Sequence, residues 1–427
     1  MGSDPQGAVT AVWRHQSARL IGGLTRMTRD LALAEDLAQD ALVAALTQWP
    51  REGVPSNAGA WLMAVAKRRA IDHFRREDTA RRGTETLGHD LEEADLLNLA
   101  DAVDHIEDDV LRLIFLTCHP ALPPESRAAL TLRLVGGLST PEIANGFLVQ
   151  DKTMGQRISR AKSTLAKVRA DFEVPRGAER GERLTDVMAV IYLIFNEGYA
   201  ATAGDHWMRP KLCREALRLS RLLAALVPDE PEVHGLQALL EIQASRTRAR
   251  RGRDGEPVLL EAQNRRRWDQ LLIRRGFAAL DRAEATGRAA GPYVLQAAIA
   301  ACHARARRPE DTDWVRIAEL YDVVGEAYPS PVVEVNRAVA HGRAFGADAG
   351  LAIVDAVSGD PSLTGTALVG GVRGDLLERR GDHEAAAAAF REAAEQTRNE
   401  AERQLLLRRA TRCLPERVEI GWPRPTR

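Results

Sequence analysis

Residues 152–169 read KTMGQRISRAKSTLAKVR and carry six basic groups and no acidic one. Met154, Ile158, Ala161, Leu165 and Val168 recur at helical spacing and predict a core seam. Lys152, Gln156, Ser159, Arg160, Ser163 and Lys167 then point away from it. Gln and Arg side chains can form paired hydrogen bonds to adenine and guanine edges, while Lys and Ser hold phosphates. A helix that buries one face and offers these groups on the other suits reading of the major groove. A merely solvated bundle helix would mix acidic residues into that face.

A second basic stretch, residues 60–76, reads AWLMAVAKRRAIDHFRR, with five basic groups against Asp72. Met63, Ala66, Ala70 and Phe74 predict its buried stripe. Arg68, Asp72 and Arg75 fall opposite, with Arg69 and Arg76 beside them. Guanidinium groups suit phosphate contacts and can stack on unpaired bases. Trp61 is either a stacking partner for a base or a core plug at a helix start.

The elements that would position these groups can be read from their neighbours. Arg127 to Leu134 predicts a helix closed by Gly136 and Gly137. Ser139, Thr140, Pro141 and Glu142 form a capping box opening a short helix to Gly146. A turn then leads to Asp151, an N-cap residue for the basic helix. The three together read as a helix-turn-helix. Upstream, EDLAQDALVAALTQWP (35–50) predicts a helix burying Leu37, Ala38, Ala41, Leu42, Ala45 and Trp49. It leaves Glu35, Asp36, Gln39 and Asp40 at the solvent edge, and Pro50 ends it. Acidic residues at that position also suit plain capping against the helix dipole.

The net charge of the 427 residues is −1, which taken whole argues against a nucleic-acid binder. Sorted by segment it is uneven: +4 over residues 60–76, −10 over 77–109 and +6 over 127–170. Ala, Leu and Arg dominate and aromatics are 5%, so an all-α protein is expected, of about three domains by length. The longest apolar run, Val187 to Phe195, is nine residues, too short to span a bilayer. Residues 1–20 show no basic-then-apolar signal pattern, and four scattered cysteines lead us to expect a reducing cytoplasm. Cys118-His119 and Cys302-His303 could ligate metal, but isolated pairs are more simply buried helix residues. No HExxH, GxSxG, Walker or GxGxxG pattern marks an enzyme, and no cofactor is implied.

Beyond residue 173, LTDVMAVIYLIFNEGYAAT (184–202) predicts an apolar helix and a polar turn. Prolines at 228, 257, 292, 329 and 361 recur at about 33 residues, near the tetratricopeptide period. Gly374, Gly381, Ala386, Phe390 and Ala393 match the small and aromatic positions of one such repeat. SRTRARRGRDG (245–255) reads as a loop.

Taken together, residues 34–50, 60–77 and 138–165 resemble the extracytoplasmic-function sigma factors of bacterial RNA polymerase, in that family's order and spacing. The resemblance covers about the first 172 residues. It implies a region 2 helical bundle (1–78), an acidic linker (79–108), a region 4 helix-turn-helix (109–173) and an extension (174–427). The extension resembles that of a group with a tetratricopeptide-like α-solenoid, whose members usually lack a membrane-bound partner. By resemblance, Glu35, Asp36, Gln39 and Asp40 would meet the β′ clamp helices, and region 4 the β flap. Trp61, Arg68, Arg69, His73, Arg75 and Arg76 would engage the minus-ten element, Arg68 at a position where many members carry Asn. Lys152, Thr153, Gln156, Arg157, Ser159, Arg160 and Lys162 would face the minus-thirty-five element. The linker would follow the RNA exit path, as an RNA mimic or a solvated connector. Asn196, Glu197 and Tyr199 are candidates for a regulatory contact, or a structural helix end, and a small cytoplasmic protein is a further candidate partner. An alternative is a helix-turn-helix regulator with a tetratricopeptide sensor acting without core polymerase.

Overall fold

The computed structural model describes residues 5–82, 106–147, 149–199, 208–252, 256–364, 366–397 and 399–414. Among these the regular structure is helical, with no β-strand and one isolated bridge between Arg251 and Pro257. The chain is all-α, and it divides into two compact units. The first holds Met1–Gly198 and Lys211–Pro228, the second Tyr199–Pro210 and Asp229–Arg427. Most of the acidic linker, residues 83–105, lies outside the described residues.

In the first unit, α1 (Pro5–Thr28) packs on α2 (Leu31–Glu52), α3 (Ala58–Arg82), α4 (Ile106–Thr117) and α5 (Pro124–Leu134). Val9, Trp13, Leu20, Ile21 and Leu24 line its buried face. Asp30 starts α2 by accepting hydrogen bonds from the backbone N–H of Ala32 and Leu33 at 2.8 and 3.0 Å. The sequence stops this helix at Pro50, but the structure carries it to Glu52. Gly53, at φ 87°, closes it by donating to the Trp49 carbonyl at 2.9 Å.

The helix-turn-helix is built from α5, α6 (Thr140–Phe147) and α7 (Asp151–Lys167). Gly137 turns the chain at φ 68°, and its pro-side-chain position abuts Ser17 Oγ, so a larger residue fails twice there. The capping box forms as read. Glu142 Oε2 accepts from the Ser139 backbone N–H at 3.0 Å and from its hydroxyl at 2.9 Å. Asp151 is the first residue of α7 rather than its cap; Gln150 takes the cap position without a side-chain bond. There Asp151 still meets the positive end of the helix dipole. Two further helices, α8 (Gly177–Tyr199) and α9 (Pro210–Leu226), contribute to the same unit. Arg183 of α8 donates to the Phe115 carbonyl, and Arg218 of α9 to the Val135 carbonyl, both at 2.8 Å.

The second unit is a run of helices, each packed on the next. They are α10 (Pro231–Ser245), α11 (Gln270–Ala285), α12 (Pro292–Arg305), α13 (Trp314–Ala327), α14 (Pro331–Ala344), α15 (Ala347–Val357), α16 (Leu368–Arg380), α17 (His383–Gln396) and α18 (Glu400–Cys413). Proline opens α10, α12 and α14, where its missing N–H costs nothing. The α16–α17 pair turns at Gly381, φ 93°. Phe390 is fully buried against Gly374, where an added Cβ would stand 2.6 Å from its ring. The described residues 246–252 form a loop, as expected, in which Arg246 and Arg250 are buried with their charge resting on aromatic faces.

Candidate polymerase and nucleic-acid interfaces

The recognition face of α7 is presented as its periodicity requires. Met154, Ile158, Ala161 and Leu165 are buried, whereas Lys152, Thr153, Gln156, Ser159 and Arg160 are exposed. Arg157 and Lys162 are half-buried. Val168 leaves the seam: it caps the helix and stands 48% exposed, because the chain turns at Arg169, φ 48°. Ser159, Lys162 and Ser163 also line a groove of about 1520 Å³ in this unit, with Arg26, Arg29 and Arg112. That groove is rich in cations.

On α3, Arg68, Arg75 and Arg76 are exposed. Leu62, Ala66 and Ala70 form the buried stripe, with Met63 and Phe74 at its margin. Trp61 is half-buried and meets Trp49 edge-on, ring centroids 5.3 Å apart, which ties the start of α3 to the end of α2. His73 is half-buried and packs edge-on against Phe74. Arg69 is drawn aside: its Nη1 lies 2.7 Å from Asp40 Oδ2, so a candidate DNA contact and a candidate polymerase contact are paired.

The α2 acidic cluster is split by the fold. Asp36 and Asp40 are exposed and Gln39 is half-buried, but Glu35 is only 4% exposed, against the expectation of a solvent edge. Two cations from the helix-turn-helix make that burial tolerable. Arg133 Nε donates to Glu35 Oε1 at 2.8 Å and Lys162 Nζ to Oε2 at 2.9 Å. Burial alone would raise the Glu35 carboxyl. The Lys162 hydrogen bond and the charges of both partners outweigh it and hold the group below its ordinary value.

Two further links join the same modules. Arg14 Nη2 donates to Glu142 Oε1 at 2.6 Å, and Arg26 Nε to Asp109 Oδ2 at 3.0 Å. Sequence reading missed Arg14, Arg26, Asp109 and Arg133, which have no local signature, their partners lying 83 to 128 residues away.

Of the regulatory candidates, Asn196 is exposed and Glu197 half-buried. Tyr199 is engaged within the second unit: its ring lies 3.5 Å under the Arg250 guanidinium, whose Nη1 donates to the Tyr199 carbonyl. All four cysteines are buried and reduced. Among the described residues no group of His, Cys, Asp and Glu could hold a metal, and no helix is long and apolar enough to cross a membrane.

Comparison with known families agrees with this layout. Sigma-70 region 2 matches residues 13–80 and Sigma-70 region 4 matches residues 112–165. A family of unknown function (DUF6596) matches residues 183–284. An uncharacterized protein of Rhizobium meliloti, R00370, is 46% identical over 374 residues, 87% of each chain. The probable ECF RNA polymerase sigma factor SigI of Mycobacterium tuberculosis is 29% identical over 175 residues, 40% of this chain and 59% of that protein. The ECF RNA polymerase sigma factor SigK of a Mycobacterium strain is 26% identical over 159 residues, 35% of this chain and 77% of that protein. No solved structure matches the chain. With region 2 and region 4 in the right order and a long helical extension behind them, the chain belongs to the extracytoplasmic-function sigma factors of the sigma-70 family.

Proposed function

We propose that this sigma factor binds bacterial core RNA polymerase through α2, reads the minus-ten element with α3 and the minus-thirty-five element with α7. The observation that carries the reading is the sorting of α7: its apolar seam is buried while Lys152, Gln156, Ser159 and Arg160 stand exposed. Arg68, Arg75 and Arg76 offer a comparable cationic face on α3. Asp36, Gln39 and Asp40 meet the β′ clamp helices, and region 4 meets the β flap. The chain contributes recognition and melting energy; phosphoryl transfer belongs to the polymerase.

The close association of Glu35 with Arg133 and Lys162 supports a compact resting form of regions 2 and 4. Using Glu35 and Lys162 outward requires that packing to open. The tetratricopeptide-like helix pairs of the second unit control activity, with a small cytoplasmic protein as partner. The paired helices α16 and α17 support that repeat reading.

In vitro transcription with core polymerase tests the proposal. The full chain is compared with a truncation after Pro228, since ending at residue 174 would remove α8 and α9 from the first compact unit. Promoter-dependent initiation by either form is the expected result, and a difference between them shows control by the extension. Tight, salt-resistant DNA binding by the free full chain, with no stimulation by polymerase, would favour the plain regulator instead.

A further inference from the structure

The second unit contains buried polar atoms that its own hydrogen bonds leave unserved. They gather around Trp268, which is 4% exposed and whose indole N–H has no partner. Arg246, 9% exposed, lies over that ring at 5.8 Å and over the Tyr199 ring at 5.9 Å, with its Nε buried and unpartnered. Arg265 lies over the same indole at 5.0 Å. Its Nη1 donates to the carbonyls of His303 and Ala306, both at 2.7 Å, and its Nη2 to Thr312 Oγ1 at 3.0 Å. Those bonds fix the guanidinium plane and leave its Nε–H, too, buried without a partner.

Native interiors leave few donors unserved, because each forfeits its hydration for nothing. Here two cations, each with an unserved Nε–H, lie over one indole whose own N–H is unserved. Electrostatics point the same way. The His303 imidazole is pushed down to about 3, by burial first and then by the charges of Arg246 and Arg265. It therefore stays neutral, and its Nδ1 too is buried without a partner. Isolated waters could serve the donors one by one, but water leaves the buried Arg246 cation without a counter-charge, whereas half-buried Arg265 already has Asp311 and Glu310 near it. An oxygen-bearing anion meets the hydrogen-bond and the charge requirement together, and guanidinium geometry favours carboxylate and phosphate groups.

We propose that Arg246, Arg265 and Trp268 form a binding site for the oxyanion of a small molecule, a carboxylate or a phosphate. Its three donors are Arg246 Nε, Arg265 Nε and Trp268 Nε1. Tyr199 walls the Arg246 side, and His303 remains a neutral neighbour. All but His303 lie in residues 183–284, so the site gives that segment of unknown function a ligand-binding role.

Indole N–H spectra of the full chain, labelled with 15N-tryptophan, test the site directly. Seven tryptophans give seven indole signals, and Trp268→Phe identifies the one in question. The protein is titrated with sodium phosphate, sodium acetate and sodium chloride at matched ionic strength. A saturable shift of the Trp268 signal with phosphate or acetate, and none with chloride, is expected. A response to phosphate alone marks a phosphorylated ligand and one to acetate alone a carboxylate. Arg246→Gln should weaken the response about tenfold or more, the loss of one charged hydrogen bond. No saturable shift with either oxyanion, or an equal shift with chloride, overturns the proposal. The wild-type titration decides this by itself should the Arg246 variant fail to fold.

Discussion

Lys162 Nζ on α7 donates to Glu35 Oε2 on α2 at 2.9 Å, across 127 residues of sequence. Arg133 grips the other carboxylate oxygen at 2.8 Å. Glu35 and Lys162 belong to surfaces that the family resemblance assigns to different partners. In this conformation the two surfaces use part of each other. Arg14 with Glu142 and Arg26 with Asp109 reinforce the arrangement. Opening these modules would expose charge that is now compensated, so the closed form carries a definite electrostatic preference.

Replacing Glu35 by Ala should therefore destabilise the first unit more than a surface substitution does. The carboxylate is nearly buried, but both cations keep some contact with water, 20% and 24% exposed at their side chains. The expected loss is roughly 2–3 kcal/mol, between an ordinary charged hydrogen bond and a fully buried pair. Urea unfolding of wild type and variant measures it. A change within the scatter of exposed sites would show that the packing does not depend on this carboxylate.

Acid should loosen the same contacts. Glu35 and Glu142 both sit below the ordinary carboxyl value despite burial, held there by Lys162 and Arg133 in one case and by Ser139 and Arg14 in the other. A carboxyl depressed in the folded state stabilises it above the unfolded value, about 4.3 for Glu. That contribution is lost as pH falls through the lower folded value. Melting temperature should fall as the pH drops below about 5, less steeply in Glu35→Gln than in wild type. Parallel curves for the two proteins would refute the assignment.

The periodicity of α7 and the capping box at Ser139 were legible because each is encoded within four residues of itself. The helical class was legible for the same reason. Glu35 was misread because its burial depends on Arg133 and Lys162, distant in sequence, and an acidic residue in a first turn looks the same whether solvated or paired. The stretch after Ser245 was legible as a loop, but the burial of its Arg246 and Arg250 was not, because Tyr199 and Trp268 supply faces on which guanidinium groups can rest out of water. Pro50 shows the limit of a local rule: a closing bond from Gly53 lets the helix run past it.

Arg160 is exposed on α7 and pairs with no carboxylate among the described residues, so its removal should spare the fold. Arg160→Ala is expected to change stability by less than about 0.5 kcal/mol. Promoter-dependent transcription with core polymerase should nevertheless fall about tenfold if the guanidinium reads a base, the loss of one paired contact. If it holds a phosphate instead, binding should weaken evenly across promoters and the salt dependence should ease by about one counterion. Undiminished transcription on every promoter tried would remove Arg160 from the interface.

The α16–α17 pair offers a matching test in the second unit. Phe390 is fully buried and presses against Gly374, so Phe390→Ala should cost about 3–5 kcal/mol through lost contacts and an unfilled cavity. Gly374→Ala should also destabilise, because its new methyl would stand 2.6 Å from the ring and both helix backbones resist displacement. The two effects share one space. Combining Gly374→Ala with Phe390→Leu, whose side chain is smaller, should therefore cost less than the sum of the single changes. Thermal unfolding of wild type, Gly374→Ala, Phe390→Leu and the double variant gives the coupling. Simple additivity would mean that the two positions do not compete for the same volume, and that the close packing of this helix pair is not what orders it.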